Sequence, residues 1–296
     1  MKYVFLIMQP FSAAIVNVMQ KQYKTETAAN IAADGVYVLI SMVVSLVLYG
    51  SLERWKIAFE PYTALYALAL AVLAILSSFV QLAAMGRTSV INITVSNNSG
   101  AIIIPVLYGV LFLNEKVSAF KAAAVILLVW AVCVPLKDTG RLGRRREKSG
   151  AAAILCVVLF VISGLVTVLY KIYASDSRVL SENMFCFWAN VIMVPMLLGT
   201  IFFQNSRNEI ADGLKKIKGK AYILAFMSCL FNGAVPLLSM AALKEINMGL
   251  YTVVSNSFLL IFAVLMSGIM LKEHINKSAV LSVVLSLSAV MLNIMG

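Results

Sequence analysis

The side chains of this chain that could do chemistry are amides and hydroxyls placed inside long apolar runs. Val95-Ser96-Asn97 lies within one run, with Asn92 a turn before it and Tyr108 three turns beyond. Val254-Ser255-Asn256 lies within another, with Tyr251 a turn before it. Other runs carry Asn17, Gln81, Thr167 with Tyr170, and Asn232. Such groups donate and accept hydrogen bonds without changing charge, so their chemistry is recognition. In an apolar surrounding each needs a partner, from another helix or from a ligand. These twelve residues are the candidate lining of a binding cavity.

What is missing narrows the chemistry further. All 13 acids fall in connections or near the ends of apolar runs, Asp34 lying deepest. The single histidine, His274, sits in a connection beside Glu273. The four cysteines, Cys133, Cys156, Cys186 and Cys229, have no metal-type spacing and read as small buried apolar side chains. No metal and no cofactor is expected. A membrane-embedded transferase would need a His, Asp or metal cluster at an interface, which the sequence lacks. Proton-coupled pumping through a buried carboxylate is disfavoured for the same reason. An anionic cargo would call for buried bases, and there are none. A neutral or zwitterionic small molecule, held by amides, hydroxyls and tyrosine rings, fits what remains.

The elements that must position these groups follow from composition. The chain has 296 residues, 61% hydrophobic and 12% charged, with a mean hydropathy of +0.94. Lipid is the solvent such a composition suits. Ten runs are long enough to cross a bilayer as helices: 3–20, 30–50, 62–85, 88–113, 118–136, 151–174, 180–203, 219–243, 247–271 and 277–295. They are continuous, unlike the alternating strands of a membrane barrel. The first has no clear cleavage site after it and is read as a retained helix. The net charge of +11 resides in connections, as an orientation signal does, and no nucleic-acid motif accompanies it. The expected partners are a small-molecule substrate and membrane lipid, and either a monomer or a homodimer fits.

The most polar stretch, KDTGRLGRRREKSG at 137–150, divides five runs from five. Flanks in the two halves correspond: LFLNEKVS at 111–118 parallels IMLKEHIN at 269–276, an offset of 158, whereas the Val-Ser-Asn triplets need 159. An odd number of helices per half reverses the second half across the bilayer. The expected fold class is therefore all-α integral membrane, ten transmembrane helices as two five-helix inverted repeats. Residues 1–136 form the first repeat, 137–150 a basic linker and 151–296 the second. Ser278, Ser282 and Ser286 make a small-residue stripe suited to packing against the fifth helix.

With ten helices, two halves and a Glu closing the fourth and ninth runs (Glu115, Glu273), the chain resembles the drug/metabolite transporter superfamily, EamA-like family. It departs from the pattern where Ile102 and Leu260 stand in place of a proline. The resemblance implies a secondary carrier, not an enzyme, working by alternating access. It implies a cavity lined by helices one, three, four, six, eight and nine, and export of amino acids, nucleosides or related metabolites. A polyspecific drug exporter of the same fold is the alternative. The expected location is the cell membrane of a bacterium, as a multi-pass protein. Lys and Arg number 8 on the N-terminal side and 16 on the linker side. The positive-inside rule thus places the linker in the cytoplasm, and the resemblance implies the reverse.

Overall fold

The computed structural model describes residues 2–27, 31–112, 119–139, 146–204, 219–243, 248–272 and 277–295. Glu115, Glu273 and His274, and the centre of the basic linker, lie outside the described residues. Ten α-helices occur among those described: α1 (Lys2–Thr27), α2 (Ile31–Leu52), α3 (Pro61–Met85), α4 (Val90–Phe112), α5 (Ala119–Thr139), α6 (Arg146–Ser175), α7 (Glu182–Gln204), α8 (Gly219–Leu243), α9 (Met248–Met270) and α10 (Lys277–Met295). Five segments are long and apolar enough to cross a membrane: Ala33–Leu52, Pro61–Met85, Val90–Gly109, Gly150–Tyr170 and Glu182–Gly199. Shorter apolar segments occur in α5, α8, α9 and α10.

Helices suit this composition because each satisfies its own backbone. Large apolar side chains then face outward, as Leu65, Leu111, Ile154, Ile223 and Ile269 do. Polar ones turn inward, among them Gln20, Thr94, Asn98 and Ser228. Of the cysteines, Cys156, Cys186 and Cys229 are buried, but Cys133 is exposed.

α1 extends well past its apolar run. Its last two turns hold Lys21 and Lys24, which read as connection residues by hydropathy. The Lys21 ammonium donates to the carbonyls of Met85 and of Thr88, the latter at 2.6 Å, where α3 gives way to α4. Lys24 is buried against Asp34 of α2, with its ammonium 2.7 and 2.5 Å from the two carboxylate oxygens. Paired in this way, both lysines can remain in the helix.

The two halves of the chain interleave. α1 packs on α8 and α9, and α6 packs on α3 and α4. α2 packs on α7 and α8, α7 on α2 and α3, and α5 on α10. Small residues permit the closest approaches. A Cβ at Gly100 of α4 would lie 2.0 Å from the Phe160 carbonyl oxygen of α6, and one at Gly164 would lie 2.4 Å from Ile104. The Ser163 hydroxyl donates across the same seam to the Asn97 carbonyl at 2.9 Å. The serine stripe of α10 does pack against α5, Ser282 donating to the Ala131 carbonyl.

Candidate functional site

A cavity of about 260 Å³ lies among α1, α2, α3, α4, α8 and α9. α1 contributes Ala13, Val16, Asn17 and Gln20, which recur at helical spacing and so share one face. α3 adds Ser78 and Gln81 by the same rule, and α4 adds Thr94, Asn97 and Asn98. Tyr37 enters from α2, Asn232 and Val235 from α8, and Leu259 from α9. Six of these residues are carboxamides, and none carries a charge.

Most of the polar groups are held by one another. Asn17 Nδ2 donates to Thr94 Oγ1 at 3.2 Å. Gln81 Nε2 donates to Gln20 Oε1 at 2.6 Å and, more weakly, to Asn17 Oδ1 at 3.4 Å. Gln20 Nε2 donates to the Tyr37 hydroxyl at 2.9 Å, which in turn pairs with Ser228 Oγ at 2.8 Å. Thr94 returns its own proton to the Val90 carbonyl at 2.9 Å. One network therefore ties five helices together around the cavity and fixes the orientation of its amides.

α4 is different. Asn97 Oδ1, Asn98 Nδ2 and Ser99 Oγ are buried with no hydrogen-bond partner. An unpaired buried polar atom costs about 1–3 kcal/mol. Three in succession mark this turn of α4 as unsatisfied in the state observed.

Of the twelve sequence-derived candidates, the structure brings Asn17, Gln81, Asn97 and Asn232 together at the cavity. The Ser96 hydroxyl instead lies beside the Cys156 thiol on α6, and the Ser255 hydroxyl donates to Gln9 Oε1 on α1. Both serines thus join helices rather than line the space. Asn92 bonds back to Thr88 Oγ1 at 3.0 Å in the first turn of α4. Thr167 donates to the Ser163 carbonyl one turn earlier in α6. Tyr108 stacks on Phe112, and Tyr170 is exposed with its ring edge-on to Phe185. The side chains of Tyr251 and Asn256 lie outside the described residues.

The helix set also differs from the expectation. α2 lines the cavity through Tyr37, and no described residue of α6 does. α6 is instead packed face to face with α3 and α4. Sequence reasoning passed over Tyr37, Thr94, Asn98 and Ser78. Of the cavity residues outside the twelve candidates, Gln20 had a readable signal, since it shares the helical face of Asn17.

The chain is an all-helical bundle with a polar internal cavity and an apolar exterior, the arrangement of a multi-pass integral membrane protein. A solved crystal structure of a protein is similar to this chain with a TM-score of 0.55 at 11% identity. The similarity covers 97% of this chain and 96% of that one. No curated protein matches the chain. Over residues 150–295 the chain belongs to the EamA-like transporter family. That membership implies a secondary membrane transporter for a small molecule, and not an enzyme.

Proposed function

We propose that the protein carries a small neutral or zwitterionic metabolite through the bilayer by alternating access around the amide-lined cavity. The observation that carries this reading is the cavity itself: six carboxamides, no charge, and walls drawn from both halves of the chain. Neutral hydrogen-bonding groups bind and release without a strong electrostatic trap, as a carrier requires.

The packing pattern supports an inverted repeat of 1–136 on 151–296. Advance each helix number by five, and α1 on α8 becomes α6 on α3, while α1 on α9 becomes α6 on α4. α2 on α8 becomes α7 on α3, and α4 on α5 becomes α9 on α10. The serines of the two Val-Ser-Asn triplets obey the same rule, Ser96 reaching α6 and Ser255 reaching α1. Those serines hold corresponding seams, and among the described triplet side chains Asn97 is the one at the cavity.

Purified protein in liposomes, preloaded with a mixed metabolite pool, should show counterflow of at least one neutral or zwitterionic solute. Asn97→Ala should reduce that flux at least about tenfold, the loss of one buried hydrogen-bonding contact or more. Absence of counterflow for every solute, with folded protein in the bilayer, would remove the carrier reading.

A further inference from the structure

Asn97 and Asn98 both line the cavity, and each keeps one unpaired amide atom, an acceptor on Asn97 and a donor on Asn98. Asn98 is only 8% exposed. The other cavity amides differ, since Asn17, Gln20 and Gln81 bond to their neighbours. Among the described cavity side chains, the solvent-shielded atoms left without a partner are thus one acceptor and one donor on consecutive residues.

The described lining residues offer no charge: none is Lys, Arg, His, Asp or Glu. The nearest bases along α1 are Lys21 and Lys24, which are engaged by carbonyls and by Asp34. The lining helices also run unbroken past the cavity: α1 from Lys2 to Thr27, α4 from Val90 to Phe112, α8 from Gly219 to Leu243. Carriers of charged substrates commonly aim the ends of interrupted helices at the ligand, using the partial charge there. This site has no such end. A zwitterion would bring an ammonium and a carboxylate, each leaving water for neutral amides alone.

We infer that the substrate is an uncharged molecule bearing an amide or lactam edge, one N–H beside one C=O. The inference rests on the carrier reading and narrows it. The substrate N–H donates to Asn97 Oδ1, and Asn98 Nδ2 donates to the substrate carbonyl. Both atoms are shut off from solvent in this state, so engagement turns the two amide planes toward the cavity. Supplying their missing partners favours the bound state. Size is bounded by the 260 Å³ of space, room for roughly nine water-sized groups at about 30 Å³ each. That suits a single ring or a short chain.

The test uses the full chain in detergent with four probes: nicotinamide, uracil, nicotinate and glutamine. Nicotinamide and nicotinate differ chiefly in amide against carboxylate, and glutamine carries the same carboxamide on a zwitterion. By calorimetry and thermal shift, nicotinamide or uracil should bind at least about tenfold more tightly than nicotinate or glutamine, a gap worth one buried hydrogen bond or more. Asn98→Leu and the isosteric Asn98→Asp, each lacking the donor, should weaken that binding about tenfold. Ser288→Ala, on an exposed face of α10, should leave it unchanged. If neither Asn98 variant folds, the ranking of the four probes decides alone. Equal or tighter binding of glutamine or nicotinate overturns the inference, as does failure of both amides to bind. Counterflow separates the two levels. Flux of glutamine without flux of the amides sinks the substrate class and leaves the carrier standing. Amide binding with no counterflow of any solute does the opposite.

Discussion

The hairpins α1–α2 and α6–α7 use one device with different endings. In the first, Tyr23 is fully buried, donates its hydroxyl to the Ala33 carbonyl and packs on Tyr37 with ring centroids 5.2 Å apart. In the second, Tyr173 is fully buried, donates to the Leu180 carbonyl at 2.8 Å and stacks on Phe185 at 4.1 Å. A tyrosine near the end of one helix thus pins the chain entering the next. The endings diverge in two ways. The first hairpin adds a buried ion pair, Lys24 with Asp34. The second adds Arg178 with Asp176 at 2.7 Å, the arginine side chain 58% exposed and lying 4.1 Å over the Tyr62 ring. The aromatic partner of the first carries a hydroxyl bonded to Gln20 and Ser228, whereas Phe185 has none. Only the first hairpin is wired to the cavity.

Breaking the buried pair should have the largest effect. Asp34→Ala leaves an uncompensated ammonium and should cost about 3–5 kcal/mol, read as thermal stability in detergent. The double change Lys24→Met with Asp34→Leu should recover most of it, since an apolar pair of similar size replaces the ions. A loss below about 1 kcal/mol in the single variant would place the pair in a water-accessible setting like that of surface ion pairs.

The cavity connection comes next. Tyr37→Phe makes the first hairpin resemble the second and leaves Gln20 and Ser228 without their shared partner. The expected cost is about 1–3 kcal/mol, with a loss of counterflow beyond what stability explains. Phe185→Tyr, the reverse change, should destabilise without affecting flux. An equal effect of both on flux would erase the distinction.

Smaller effects test what the hairpins share. Tyr23→Phe and Tyr173→Phe each remove one hydroxyl bond and should each cost about 1 kcal/mol. A much larger loss in one would mean that the two clamps are not equivalent.

Breaking the exposed pair should have the smallest effect. Hydrogen bonds from Arg178 hold the Asp176 carboxyl well below the usual carboxylate range. A carboxylate lowered in the folded state adds stability above its unfolded value and loses it as pH falls through the folded value. The contribution is therefore complete at pH 7 and fades only in acid, below the ordinary carboxylate range. At pH 7 Arg178→Ala should melt slightly below wild type, and the gap should close in acid. The variant should be the less acid-sensitive of the two, and identical acid profiles would show that the pair adds nothing.

Much of the helical order was legible because lipid leaves few alternatives. Runs 219–243 and 277–295 coincide with α8 and α10, and most others agree within two or three residues. The largest miss, in α1, occurs where a charge is hidden by a partner distant in sequence. Run 3–20 stopped short of Lys21 and Lys24, because hydropathy cannot see Asp34 or the Met85 carbonyl beside them. The site was legible by residue type and much less by direction. Periodicity put Ser96 and Asn92 on one polar stripe, but that stripe meets the close seam with α6 and the local cap of α4. Tyr37 gave no stripe at all, being a lone phenol in an apolar run.

The sequence by itself determined a membrane-spanning helical chain and the amides and hydroxyls within its apolar runs. Each follows from composition and local pattern, which bilayer physics reads directly. Only the tertiary structure decided which amides share a cavity and which are consumed at helix seams. That choice depends on helix rotation, set by Gly100 against Phe160 and by hydrogen bonds linking residues such as Asn17 and Thr94, far apart in the chain.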